Sequence, residues 1–315
     1  MRGAVRVSTS FQPATRFARS APREFDFETD FLGRSEPASP WDNGIVKLRG
    51  VLFDMDGVIY NDDTPIPGAA EAVRWTVSHG IPHLFVTNTT SQGRRALVEK
   101  LHRVGIESSP PRILTPCVAA GEWLRTQPPA PVALFVRSAA REEFQEFPLV
   151  SDDAETGAAY VVIGDLGEAW DFKTLNRAFR LLHHHPDAQL IALGMTRYWQ
   201  TTSGVSLDVA PFVAALEHAA GRQSLVFGKP AEAFFRVAAL HLGLGRDEIV
   251  MIGDDIQTDI GGAQAAGLKG ALVQTGKFRA ADLEGAVQPD AVLASVASLP
   301  HWWETVAAGV VNSRR

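Results

Sequence analysis

Residues 50–57 read GVLFDMDG: apolar and small residues run without alternation into Asp54, then Met55, Asp56 and Gly57. Such an unbroken run predicts a strand, Gly50–Met55, buried on both faces of a parallel sheet. Two similar runs follow, Ile81–Thr87 (IPHLFVT) and Glu248–Gly253 (EIVMIG). Between the first two, Ala72, Val73 and Val77 predict the apolar face of a helix over Ala69–His79. Leu97, Leu101 and Val104 predict another over Gln92–Val104. Alternating strands and helices give an α/β fold with a parallel sheet between helical layers. Each strand runs out into polar residues: Asp54 and Asp56, Thr87 and Asn88, Asp254 and Asp255. Open α/β sheets bind ligands beyond the carboxyl ends of their strands, so these groups are expected to converge.

The chain has 315 residues, 45% hydrophobic and 21% charged. That is apolar enough for roughly two domains and too apolar for a disordered chain. A formal net charge of −6 argues against a nucleic-acid partner, because phosphate contacts need clustered Lys and Arg. No run of ~18 apolar residues marks a membrane span. The single cysteine, Cys117, excludes an internal disulfide and a Cys-based zinc cluster. The cytoplasm is the expected compartment, with one alternative. Arg2, Arg6, Arg16, Arg19 and Arg23 stand in a stretch without acids, a composition resembling an organelle transit peptide. Residues 1–45 read as a disordered extension: a tail or upstream start, a targeting segment, or a partner-binding arm.

The rest divides into a discontinuous core, 46–130 and 224–305, an inserted α/β domain, 131–223, and a tail, 306–315. The insertion has its own strands at Val132–Val136, Ala159–Ile163 and Leu190–Leu193. Its helices are expected at Phe172–Leu182 and Val209–Ala219.

Four clusters carry chemistry. Asp54 and Asp56 stand at i and i+2, on one side of a strand, before a glycine that permits a sharp turn. One carboxylate can attack an electrophile while the other handles a proton, and a hard cation suits both. The same pattern also occurs in solvated turns. Gly253-Asp254-Asp255, with Thr258-Asp259 beyond, places acids directly after a buried strand, where they need a partner, solvent or a metal. Asp254 could complete a magnesium site with Asp54, and Asp255 or Thr258 could equally cap a helix. Thr87-Asn88-Thr89-Thr90 offers hydroxyls and amides to a phosphate oxygen or to a helix start. Lys229, between Gly228 and Pro230, could neutralise phosphate or simply face solvent.

In this order (acid pair, Thr-Asn, Lys, acid pair) the clusters resemble the haloacid dehalogenase (HAD) superfamily, subfamily IIA. Lys47–Pro67, Thr196–Glu217 and residues 250–278 carry the likeness. The resemblance implies a HAD-like core with a large α/β cap and a magnesium-dependent phosphatase acting through an aspartyl-phosphate. Asp54 would be the nucleophile, and Asp56 the acid and then the base. Thr87 and Asn88 would bind phosphoryl oxygens, and Lys229 would neutralise charge. Mg2+ would be held by Asp54, Asp254 and the Asp56 carbonyl, with Asp255 and Asp259 as supporting acids. The substrate would be a small phosphorylated molecule: a phosphomonoester, pyrophosphate or a phosphoramidate. Homodimerisation through the cap would follow too, with substrate-facing residues around Arg197–Asp208. Members of this subfamily tend to carry serine where Asp56 stands, so Asp56 favours ordinary phosphomonoesterase chemistry. The alternative is a HAD-fold binding or scaffold protein without turnover.

Other signals read as structure. His183-His184-His185 point in different directions at a helix end, where histidine suits the dipole. Gly276-Lys277-Phe278 lacks the Ser or Thr of a phosphate-binding Walker loop. Cys117 reads as a small core residue, and Trp302-Trp303 as packing for the last helix.

Overall fold

The computed structural model describes residues 48–307 except 202 and 203; the expected extension at 1–45 and the end of the tail lie outside the described residues. In chain order the first part holds β1 (Gly50–Asp54), the small hairpin β2 (Tyr60–Asn61) and β3 (Thr64–Pro65), and α1 (Ala69–Ser78). It continues with β4 (His83–Val86), α2 (Arg94–Arg103), β5 (Ile113–Leu114) and α3 (Pro116–Thr126). The insertion follows as β6 (Val132–Phe135), β7 (Tyr160–Ile163), α4 (Phe172–His184) and β8 (Gln189–Ala192). It ends with the hairpin β9 (Tyr198–Thr201) and β10 (Gly204–Leu207), then α5 (Val209–Ala220) and β11 (Leu225–Val226). The last part holds α6 (Glu232–Leu242), β12 (Ile249–Gly253), α7 (Gly262–Ala265), β13 (Lys269–Val273), β14 (Ala291–Leu293) and α8 (Leu299–Ala307).

Six strands form the main sheet in the order β14-β13-β12-β1-β4-β5, all parallel. From β1 the sheet grows one way through β4 and β5, and the other way through β12 to β14. The strand order therefore reverses between β1 and β12, the place where such sheets leave a crevice. The second sheet, β11-β8-β7-β6, is also parallel. It belongs to the inserted segment and has its own core, with Phe135, Ile163, Leu181, Leu190 and Val213 buried. Because β11 pairs with β8, this sheet reaches Val226, beyond the expected boundary at 223.

Strands β1 and β12 are buried along their whole length, as continuous apolar runs require. Burying a Leu, Ile, Val or Phe side chain contributes roughly 1.5–3 kcal/mol, so these runs anchor the main sheet. One helix face differs from expectation. In α1 the buried residues are Ala69, Ala72, Val73 and Thr76, while Val77 is 56% exposed. The face turns through Thr76, whose hydroxyl is satisfied by Ala72 O at 2.9 Å, so a polar residue is buried at little cost. Cys117 is buried at the start of α3. Trp303 is buried against the main core, and Trp302 packs beside it. His183 and His184 lie in the last turn of α4. Among the described residues no helix is long and apolar enough to cross a membrane.

Candidate active site

Strand register brings the expected residues together. Phe53 pairs with Ile252 and Asp54 with Val86, so Asp54, Thr87 and Asp254 emerge at one edge of the sheet. Lys229 arrives from the other direction, just after β11 of the second sheet. Its ammonium donates to Asp54 Oδ1 at 2.8 Å and to Asp259 Oδ1 at 2.6 Å. All three side chains are buried. Burial disfavours the lysine's charge, but the Asp259 and Asp54 carboxylates outweigh it and hold its pKa above the usual value. Asp54 moves upward too, first through burial and then through repulsion from Asp259, with Lys229 pulling the other way.

Asn88 fixes the lysine in place. Its Nδ2 donates to Lys229 O at 2.9 Å, and its Oδ1 accepts from Lys229 N at 2.7 Å. Both ends of the amide thus bond the lysine's backbone, and Asn88 lines the same cavity as Thr87 and Lys229. Thr87 is buried, and its hydroxyl accepts from Thr89 N at 3.2 Å.

Asp254 is 1% exposed. Its Oδ2 accepts from Lys277 N at 2.7 Å, while Oδ1 is buried without a hydrogen-bond partner. Burial is the main cause that pushes its pKa up to about 6. Gly57 and Gly276 close around this carboxylate, at φ +80° and +60°. A Cβ on either would overlap Asp254 Oδ2, so only glycine serves at both places. Oxygens of Asp54, Asp254 and Asp259 lie within 4.8 Å of one another. Asp259 is already occupied by Lys229 at Oδ1 and by Asp255 N at Oδ2, 3.2 Å away. The orphaned oxygen of Asp254 beside Asp54 is therefore the part of the cluster that fits a hard cation, which favours carboxylate oxygens.

Asp255 caps the short π-helical turn Ile256–Gly261, accepting from Gln257 N and Thr258 N, each at 3.0 Å. Those hydrogen bonds, with Lys277, hold its pKa down despite burial. Asp56 points outward, its side chain 63% exposed, with Lys100 Nζ 4.0 Å from Oδ1.

A cavity of about 380 Å3 is lined by six of the eight expected residues: Asp54, Asp56, Thr87, Asn88, Lys229 and Asp259. Asp254 joins it through the acid cluster. Sequence reasoning gave no role to Lys277 and Asp165, which line the same cavity together with Asp208. Lys277 stands near the end of the 250–278 stretch, in a tripeptide that lacks the Walker pattern. Asp208 fell in the stretch expected to face substrate. Asp165 follows β7 and carried no motif. It is held by Arg137 at 3.0 Å, and its backbone N–H donates to Thr90 Oγ1 at 3.3 Å, which joins the inserted segment to the Thr87–Thr90 loop. A lysine-gripped carboxylate, an adjacent orphaned carboxylate and an outward acid can together hold a cation, receive a tetrahedral anion and move a proton.

Comparison with known proteins agrees with this geometry. A haloacid dehalogenase-like hydrolase family model matches residues 51–149, and a HAD-hydrolase-like model matches 226–299. The human phospholysine phosphohistidine inorganic pyrophosphate phosphatase is 37% identical over 248 residues, covering 78% of this chain and 89% of the relative. The bovine haloacid dehalogenase-like hydrolase domain-containing protein 2 is 38% identical over 254 residues, covering 81% and 94%. The structure of a p-nitrophenyl phosphatase from Archaeoglobus fulgidus superposes with a TM-score of 0.74 at 28% identity, covering 81% of this chain and 99% of that one.

Proposed function

The chain belongs to the haloacid dehalogenase-like hydrolases and is a phosphatase of subfamily IIA type, and from that premise we propose that it hydrolyses a small phosphorylated molecule with magnesium through an aspartyl-phosphate on Asp54. The observation that carries this reading is the buried lysine between Asp54 and Asp259, beside the orphaned oxygen of Asp254. Phosphoryl transfer depends on positioning and charge neutralisation more than on covalent ingenuity.

In the first half, an oxygen of Asp54 attacks phosphorus and the bond to the leaving oxygen breaks. Asp56 gives its proton to that leaving oxygen. In the second half, Asp56 takes a proton from water as the water oxygen attacks phosphorus. The bond to Asp54 breaks, phosphate leaves, and both acids return to their starting states. Lys229 keeps Asp54 aimed and offsets the charge on the transferred group. Asn88 acts by holding Lys229, and the Thr87 hydroxyl faces a phosphoryl oxygen. Asp54, Asp254 and the Asp56 main-chain carbonyl would hold magnesium, which supplies charge neutralisation for the phosphoryl oxygens. Asp259 and Asp255 support the site by orienting Lys229 and by capping the turn. We assign 46–130 and the segment after Val226 to the core, and the region between to a cap over the site.

The substrate class spans phosphomonoesters, pyrophosphate and phosphoramidates. The test is phosphate release from a panel of all three, with magnesium, with chelator, and with Asp54→Asn. Release that needs magnesium and vanishes in Asp54→Asn is the expected outcome. Release that persists in Asp54→Asn would refute the nucleophile assignment. No release from any substrate would refute the reading as a whole.

A further inference from the structure

Lys100, on α2, has no place in the mechanism above. Its ammonium lies 3.9 Å from the centroid of the Tyr60 ring and 4.0 Å from Asp56 Oδ1, and its side chain is 17% exposed. Tyr60 is buried and belongs to the turn that carries Asp56: its carbonyl accepts from Gly57 N at 2.7 Å, and Tyr60 forms a β-bridge with Asp56. The ring is therefore a fixed platform, and its electron-rich face attracts the ammonium. Asp56 lines the mouth of the cavity with its side chain largely exposed, so little besides Lys100 fixes its direction. This anchor comes from a helix of the main sheet's own layer.

We infer that Lys100 is a positioning residue: seated on the Tyr60 ring, it holds the Asp56 carboxyl by Oδ1 in the orientation from which the other oxygen passes its proton to the leaving group. The inference rests on the reading of Asp56 as the acid, and it adds a residue that touches neither phosphate nor metal. Proton donation matters most when the leaving oxygen is a poor leaving group. A residue that orients the acid should therefore matter for an alkyl phosphate and hardly for p-nitrophenyl phosphate. A residue that only stabilises the fold should affect both alike.

The experiment measures kcat/KM, which covers the steps through departure of the leaving group, for an alkyl phosphate and for p-nitrophenyl phosphate. The enzymes are wild type, Lys100→Met, Lys100→Arg and Asp56→Asn, with magnesium saturating. Lys100→Met should lose about ten-fold on the alkyl ester, a part of the ~10²–10⁴ that a positioned acid contributes. On p-nitrophenyl phosphate it should lose less than about two-fold. Lys100→Arg should restore most of the loss, and Asp56→Asn should show the same selectivity with a larger drop. Equal losses on both esters, no loss, or no rescue by arginine would overturn the inference. Failure of the underlying reading shows separately: Asp56→Asn would then treat the two esters alike, and the role of Lys100 would fall with it.

Discussion

Replacing Lys229 with methionine keeps the length and apolar stem of the side chain but removes the charge between two buried carboxylates. In the native protein that ammonium makes contacts of 2.8 and 2.6 Å, with its side chain 3% exposed and those of its partners 11% and 1% exposed. Removing one member of a buried ion pair typically costs about 3–5 kcal/mol, because the remaining charge is left desolvated and unpaired. Here two carboxylates are left, so the upper part of that range is expected. At roughly 2 °C per kcal/mol, the low end for large domains, the melting temperature should fall by about 8–10 °C.

Two controls separate charge from packing. Asp259→Asn alone leaves one lysine against Asp54 and should cost less than Lys229→Met. The double variant Lys229→Met/Asp259→Asn should recover part of the loss, with a coupling of about 0.5–3 kcal/mol, as for directly contacting groups. The pH dependence has a definite sign. Without the lysine, Asp54 has an even higher folded pKa than it has now, well above its unfolded value. A group shifted in that direction favours the folded state at low pH and loses that contribution as pH rises through the folded pKa. The deficit of Lys229→Met should therefore shrink on acidification. The assay is urea unfolding in chelator at several pH values. A Lys229→Met protein within about 1 kcal/mol of wild type, or a double variant no more stable than the single one, would refute the charge-balance argument.

Asp254 should make stability depend on pH and on metal together. Its folded pKa of about 6 lies above the ordinary carboxylate value, so stability in chelator should decline as pH rises through about 6; magnesium should flatten that decline, and an identical slope with and without the cation would count against Asp254 as a ligand. Gly276→Ala should cost at least ~1 kcal/mol more than Gly80→Ala by denaturant titration. Both have positive φ, but a Cβ at Gly276 meets the Asp254 carboxylate whereas Gly80 has nothing within 4 Å. The Cys117 thiol is buried and pushed up to about 12, chiefly by that burial. A thiol reagent at neutral pH should find no reactive cysteine in the native protein and one per chain after unfolding.

The strands around the site were legible because a doubly covered parallel sheet writes itself as unbroken apolar runs, and β1, β4 and β12 lie within one or two residues of where those runs predict them. The face of α1 was less legible. Val77 and Thr76 are neighbours, and apolar spacing preferred the valine, while the helix buried the threonine because its hydroxyl can bond back to Ala72. Asn88 shows a different limit. Its position near phosphate chemistry could be read from the sequence, but its side-chain partner lies 141 residues away, and nothing local distinguishes an amide that binds ligand from one that clamps a distant backbone. Lys277 was missed for the same reason: its backbone N–H and ammonium serve Asp254 and Asp255, roles that leave no motif.

The charges at the cavity explain why such partners are needed. Asp54, Asp254 and Asp259 bring three buried carboxylates, and Lys229 answers two of them directly. Asp254 is left with a backbone N–H at one oxygen and nothing at the other, which burial makes costly. An orphaned buried oxygen persists in a fold when something other than stability retains it. In the proposed reaction, magnesium removes that cost and the substrate phosphate then restores negative charge, so cation and phosphate are each bound better in the presence of the other. Linkage requires this coupling to be reciprocal. Magnesium should bind more tightly to wild-type protein in the presence of inorganic phosphate, by the same factor by which it tightens phosphate. In Asp254→Asn both factors should fall toward one. Calorimetric titration of each ligand with and without the other measures the two factors, and phosphate affinity indifferent to magnesium would show that the orphaned oxygen has another purpose.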